Sequence, residues 1–251
     1  MSEQHYVYQI VTDDTPESPR DFDNLGTMAC WDMRRDLGDV HPKCNIQDYL
    51  ADLIGWDDDK QQAVYDYWFG HGTGTAKELN YHASRKLQER IKEEFDKQFI
   101  SLELFLWDHS GLSMSSGTFE YPCDSSIFGF IYVAKAKIRQ EYGFKVITQG
   151  REQQILGYLD SEVETFDQYL TGQVYGYRIF EVPEGVDPEE LSDEEVEELE
   201  EVGSLWGIYG EDCAEQEAKE SVAYFEEHHA ELMFKRKQAE FRAAGQLELA
   251  V

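Results

Sequence analysis

Hydrophobic and polar positions follow two rhythms along this chain. His5 to Val11 (HYVYQIV) is a short β-branched and aromatic run that reads as a strand. Asn45 then caps a helix through Leu53, with Ile46, Tyr49, Leu50 and Leu53 on one stripe. Gly70 to Gly74 breaks the helical segment before it. Thr75 and Glu78 form a capping box that opens a helix to about Phe99, carrying Leu79, Leu87, Ile91 and Phe95. Residues 101–107 and 128–133 are apolar, strand-like runs joined by a hairpin-like excursion. Helices follow near Lys135–Tyr142 and Arg151–Leu170. Val174–Phe180 alternates as a strand, with Ser204–Tyr209 as its partner. A final helix from about Ala214 to Arg242 sets Ala218, Val222, Phe225, Leu232 and Met233 near one stripe. The pattern predicts an α+β fold: a small antiparallel sheet with flanking helices, a projecting acidic helical insertion and a long C-terminal helix. The expected division is an α+β domain over 1–212, with the insertion at 184–202, and a helix over 213–251 packed on it or extending from it.

Charge changes this picture. The 251 residues hold 22 basic and 52 acidic side chains, a net charge of −30. Such a field repels phosphate, which argues against direct nucleic-acid binding and against attraction to anionic membranes. The acid is localised: residues 61–150 hold 11 acids and 10 bases, whereas 151–230 hold 24 acids and 3 bases. Salt adaptation would spread it evenly. The densest run, Glu184 to Glu201, has 11 acids in 18 positions and no base. Asp187-Pro188 with Glu190, and Ser192 with Glu195, are helix-start patterns, and Leu191, Val196, Leu199 and Val202 give a thin apolar edge. A helix over this run would be roughly 27 Å long. That is one charge per roughly 2.5 Å, against one per about 1.7 Å of duplex DNA.

No catalytic signature accompanies the charge. Asp108-His109-Ser110 holds the residue types of a hydrolytic triad, but neighbours in an extended stretch point to opposite faces, so loop capping is the expected role. Gly70–Lys77 lacks Walker spacing and reads as a helix–helix turn. Glu226-Glu227-His228-His229 has one Glu-x-x-His where di-iron bundles use two, so solvent-facing histidines are expected. Asp13-Asp14 and Asp57-Asp58-Asp59 lack the alternation of a calcium loop. Cys30, Cys44, Cys123 and Cys213 form no C-x-x-C, which fits a reduced cytoplasmic protein without zinc; Cys30, His41 and Cys44 make only three ligands. Arg34 and Arg35, beside Asp32 and Asp36, are expected to form internal ion pairs. No run of about eighteen apolar residues exists to span a bilayer, and Met1–His5 lacks a secretory pattern.

Several strings are more specific: Asp23-Asn24-Leu25-Gly26-Thr27-Met28, then Trp31, Arg34 and Leu37-Gly38-Asp39; SLELFLWDHSGLSMS at 101–115; GFIYV at 129–133; VETFDQYLTGQVYGY at 163–177; and Trp206-Gly207. Together they resemble a family of uncharacterised acidic proteins encoded by phages, plasmids and other mobile elements, over roughly residues 5–215. The resemblance brings no activity and no functional residue. It implies a setting in which accessory genes encode host-takeover or anti-defence proteins.

The expectation is therefore a non-enzymatic inhibitor without cofactor or metal. It would use an acidic, DNA-mimicking surface against a host nucleic-acid-binding protein with a basic groove, such as a restriction enzyme or CRISPR effector. Glu189, Glu190, Asp193, Glu194, Glu197, Glu198 and Glu201 would meet that groove. The alternatives are a metal-assisted hydrolase using some of His41, His71, His82 and His109, or an assembly factor forming a homodimer through its C-terminal helix.

Overall fold

Two antiparallel sheets, each assembled from strands distant in sequence, organise the chain. The computed structural model describes residues 5–31, 34–35, 37–108, 111–119, 127–183 and 185–248, with backbone alone for Glu189 and 240–248. The fold is α+β. Its contacts group the chain into two compact units: a split unit of Met1–Ser18 with Thr171–Val251, and an inserted unit, Pro19–Leu170. This grouping differs from the expected division at residue 212.

In the inserted unit, β2 (Thr27–Cys30), β3 (Phe99–Asp108), β4 (Leu112–Ser115) and β5 (Ile127–Ala134) pair in the order β2-β5-β3-β4. Alternation sends successive side chains to opposite faces. Met28, Cys30, Ile131 and Val133 meet Ile138 of α4 (Lys135–Tyr142) and Ile155, Leu159, Val163 and Phe166 of α5 (Gln149–Leu170). Ala29 and Tyr132 turn the other way, onto α1 (Ile46–Leu53) and α3 (Ala76–Gln98), where Leu50, Trp56, Leu87, Ile91 and Phe95 are buried. Asn45 caps α1, and Thr75 with Glu78 forms the capping box of α3. Between these helices lies α2 (Asp58–His71), so the Gly72–Thr75 stretch is indeed a helix–helix turn.

In the split unit, β1 (Tyr6–Thr12), β6 (Val174–Glu181) and β7 (Glu200–Tyr209) pair in the order β1-β6-β7. One face is covered by α7 (Glu211–Glu248), through Tyr6, Tyr177, Ile179, Ile208, Ala214 and Ala218. Val222 and Phe225 continue that stripe, as the helical period requires. Among the described residues, no helix is long and apolar enough to cross a membrane.

Candidate partner-binding site

The split unit holds 26 acidic and 6 basic side chains, a net −20, against 26 and 16 in the inserted unit, a net −10. Its acidic run links β6 to β7, as the strand pairing predicts. The run is not one long helix. It contains a 3-10 turn (Pro188–Glu190) and the five-residue α6 (Asp193–Glu197), and its last two acids, Glu200 and Glu201, already belong to β7. Pairing with β6 ends the helix, because Glu181 faces Glu200 and Phe180 faces Glu201 in the ladder. A run of acids without bases four positions on also gives a helix only like-charge neighbours. The DNA-like charge spacing of a single 27 Å helix is therefore absent. What remains is a compact acidic turn. Ser192 caps α6, and hydrogen bonds from the Ser192 backbone and side chain hold the Glu195 carboxyl below its ordinary range. Leu191, Val196 and Leu199 are half-buried while their acidic neighbours are exposed, so the apolar edge docks as its spacing suggests.

The seven acids divide by neighbourhood. Glu201 accepts from Arg178 Nε at 2.7 Å, so its charge is neutralised within the sheet. The Glu189 side chain lies outside the described residues. Glu190, Asp193, Glu194, Glu197 and Glu198 are exposed, and none takes part in any ion pair of the described residues. The two arginines beside the run are engaged: Arg178 by Glu201, and Arg236 by Glu181 at 2.9 Å and by Glu200.

Arg236 lies beside a cavity of about 500 Å³ lined by His5, Glu198, Leu199, Glu200, His229, Met233 and Lys237, among others. Two of its lining residues, His5 and His229, belong to a network that includes Glu226, the Glu of the Glu-x-x-His step of α7. One Glu226 oxygen accepts the His5 and Tyr6 backbone N–H groups at 2.6 and 2.9 Å, and the other lies 2.9 Å from His5 Nδ1. Burial opposes the Glu226 charge, yet these donors outweigh it and hold the carboxyl below its ordinary value. Burial, with the Glu181 and Glu226 carboxylates, pushes the Tyr6 phenol up, and its hydroxyl hydrogen-bonds with His229 Nδ1 at 2.8 Å. His5 and His229 stack at 4.0 Å between ring centroids. His229 is thus not a solvent-facing residue but half of a clamp on the start of β1, which the spacing on α7 alone does not reveal.

The remaining candidates separate. His41 Nε2 donates to the Leu37 carbonyl, and His71 Nδ1 to the Tyr67 carbonyl. His82 meets the Trp68 ring edge-on. His109 and Ser110 lie outside the described residues, as do Asp32, Asp36 and Cys123. Asp108 pairs with Arg35, so one partner of that arginine is on β3. Among the described residues no group of three or more His, Cys, Asp or Glu is placed to hold a metal ion.

Two of the strings that carry the resemblance, at 23–28 and 37–39, meet around a residue outside them, Arg20. Arg20, its side chain 5% exposed, donates Nε to Asp39 at 2.9 Å, Nη1 to Glu162 at 2.9 Å and Nη2 to the Gly26 carbonyl at 2.8 Å. Asp39 accepts the Met28 N–H, and Glu162 those of Leu25 and Gly26. Gly26 is required by space, since a β-carbon would come within 2.6 Å of Leu159. Every partner here is structural. Comparison with protein-family models, curated proteins and solved structures returns no match for this chain.

Proposed function

We propose that this is a cytoplasmic, non-enzymatic binding protein of a mobile element, which inhibits a host nucleic-acid-processing complex by occupying its basic groove. The observation that carries the reading is the set of exposed acids Glu190, Asp193, Glu194, Glu197 and Glu198 without basic partners, in a unit whose nearby arginines are already paired. Uncompensated charge of one sign steers a partner of the other, and makes association fast and salt-sensitive. The turn imitates the charge of nucleic acid rather than its helical rise. Restriction enzymes and CRISPR effectors, whose grooves are basic by necessity, are the target class.

The test is phage plating on hosts carrying a restriction system or CRISPR interference. Expression of the protein should restore plating in one of them, and changing the five acids to Gln or Asn should abolish the effect without moving the thermal midpoint. No restoration in any host, or full restoration by the amide variant, removes the reading.

A further inference from the structure

At the opposite end of the split unit's sheet from the acidic turn, β7 carries a built aromatic platform. Tyr175 faces Ile208 and Tyr177 faces Leu205, so Trp206 and Gly207 together oppose the single residue Gly176. This is a β-bulge, a device that re-aims a side chain. Gly207 adopts φ +77°, which a β-carbon would disfavour. The bulge seats the Trp206 indole on Gly176, where an added β-carbon would come within 2.4 Å of the ring. Both strands are shaped to hold this ring, yet Trp206 is 46% exposed and its neighbour Leu205 44%. A large aromatic side chain held in place and left open to water is the usual anchor of an interface.

The same end gathers a second set of acids. The Asp13 N–H donates to the Val174 carbonyl at 2.9 Å, the Gly210 N–H to Gln173 at 2.9 Å, and the Tyr209 hydroxyl to the Glu17 carbonyl at 2.8 Å. These bonds bring the stretch holding Asp13, Asp14 and Glu17 beside the end of β7, where α7 opens with Glu211 and Asp212. No ion pair of the described residues engages any of the five. An indole face attracts cations through its ring quadrupole, and a planar guanidinium stacks on it better than an ammonium does.

We propose that this end of the sheet binds an arginine-rich segment of a protein partner, one guanidinium stacking on the open face of Trp206 while flanking cations meet the five acids. The proposal rests on the reading of the split unit as a module for a basic partner, and adds to it a selectivity for arginine over lysine.

The experiment is calorimetric titration of the full chain with Arg-Gly and Lys-Gly repeat peptides of equal charge, alongside the NMR signals of the five tryptophan indole N–H groups. The Arg peptide should bind more tightly and shift the Trp206 signal. Trp206→Ala should weaken it roughly three- to tenfold and erase the preference for arginine, while Trp206→Phe keeps part of both. Equal binding of both peptides, or an unmoved Trp206 signal in the wild-type protein, overturns the site whether or not the alanine variant folds. Protection in the plating assay with no role for Trp206 overturns the site alone. An arginine-selective, Trp206-dependent complex from a protein that gives no protection leaves the site standing and removes the functional reading.

Discussion

At the scale of single residues, the clamp on β1 concentrates much chemistry in one carboxylate. Glu226 takes three donors from His5 and Tyr6 while partly buried. Because its carboxyl sits below the ordinary value of 4.5 in the folded chain, its contribution to stability is present above that pH and fades as pH falls through the lowered value. Glu226→Gln should therefore cost about 1–2 kcal/mol at neutral pH, a figure already reduced for partial exposure. The deficit relative to wild type should close in urea denaturation series taken below pH 4.5. An unchanged deficit at low pH would mean that the amide disturbs packing, not charge. The Glu-x-x-His spacing was legible in the sequence, but its meaning was not, because the partner His5 stands 221 positions away.

At the scale of elements, whatever is decided within a few residues was readable. Asn45, Thr75 with Glu78, and Ser192 with Glu195 cap the helices that their spacing predicts, since donor and acceptor lie three positions apart. The acidic run shows the limit. Its helix-start patterns favour a long helix locally, but β6 recruits Glu200 and Glu201 into a strand, and a ladder register is a long-range property. Arg20 is a second case, joining the turn before β2 to α5 through partners 19 and 142 positions away. Its side chain is nearly buried between two carboxylates, so Arg20→Met leaves both uncompensated and should destabilise the inserted unit by about 3–5 kcal/mol. Urea denaturation measures this, and a loss under 1 kcal/mol would show the network to be solvated.

At the scale of the whole molecule, the strand and helix order was legible, but the grouping of those elements was not. The reading of one small sheet became two because β1 pairs with β6, far along the chain, while β2 to β5 pair among themselves. Contact grouping of this kind has no local signature. The inserted unit is one continuous segment with cores on both faces of its sheet. Residues 19–170 expressed alone should therefore unfold in a single cooperative urea transition with native-like circular dichroism; a non-cooperative transition would show that this segment depends on the rest of the chain.

The split of the other unit orders events on the ribosome. Residues 6–12 emerge long before the strand they must join, which begins at Val174, so in the interval β1 has no sheet to enter. The inserted unit can close while β1 waits. The sheet that presents both acidic ends and the Trp206 ring assembles only after β6, β7 and the first turns of α7 have been made. A chain that ends between Leu170 and residue 200 thus carries the inserted unit but no binding surface, and a premature stop there yields no weak inhibitor.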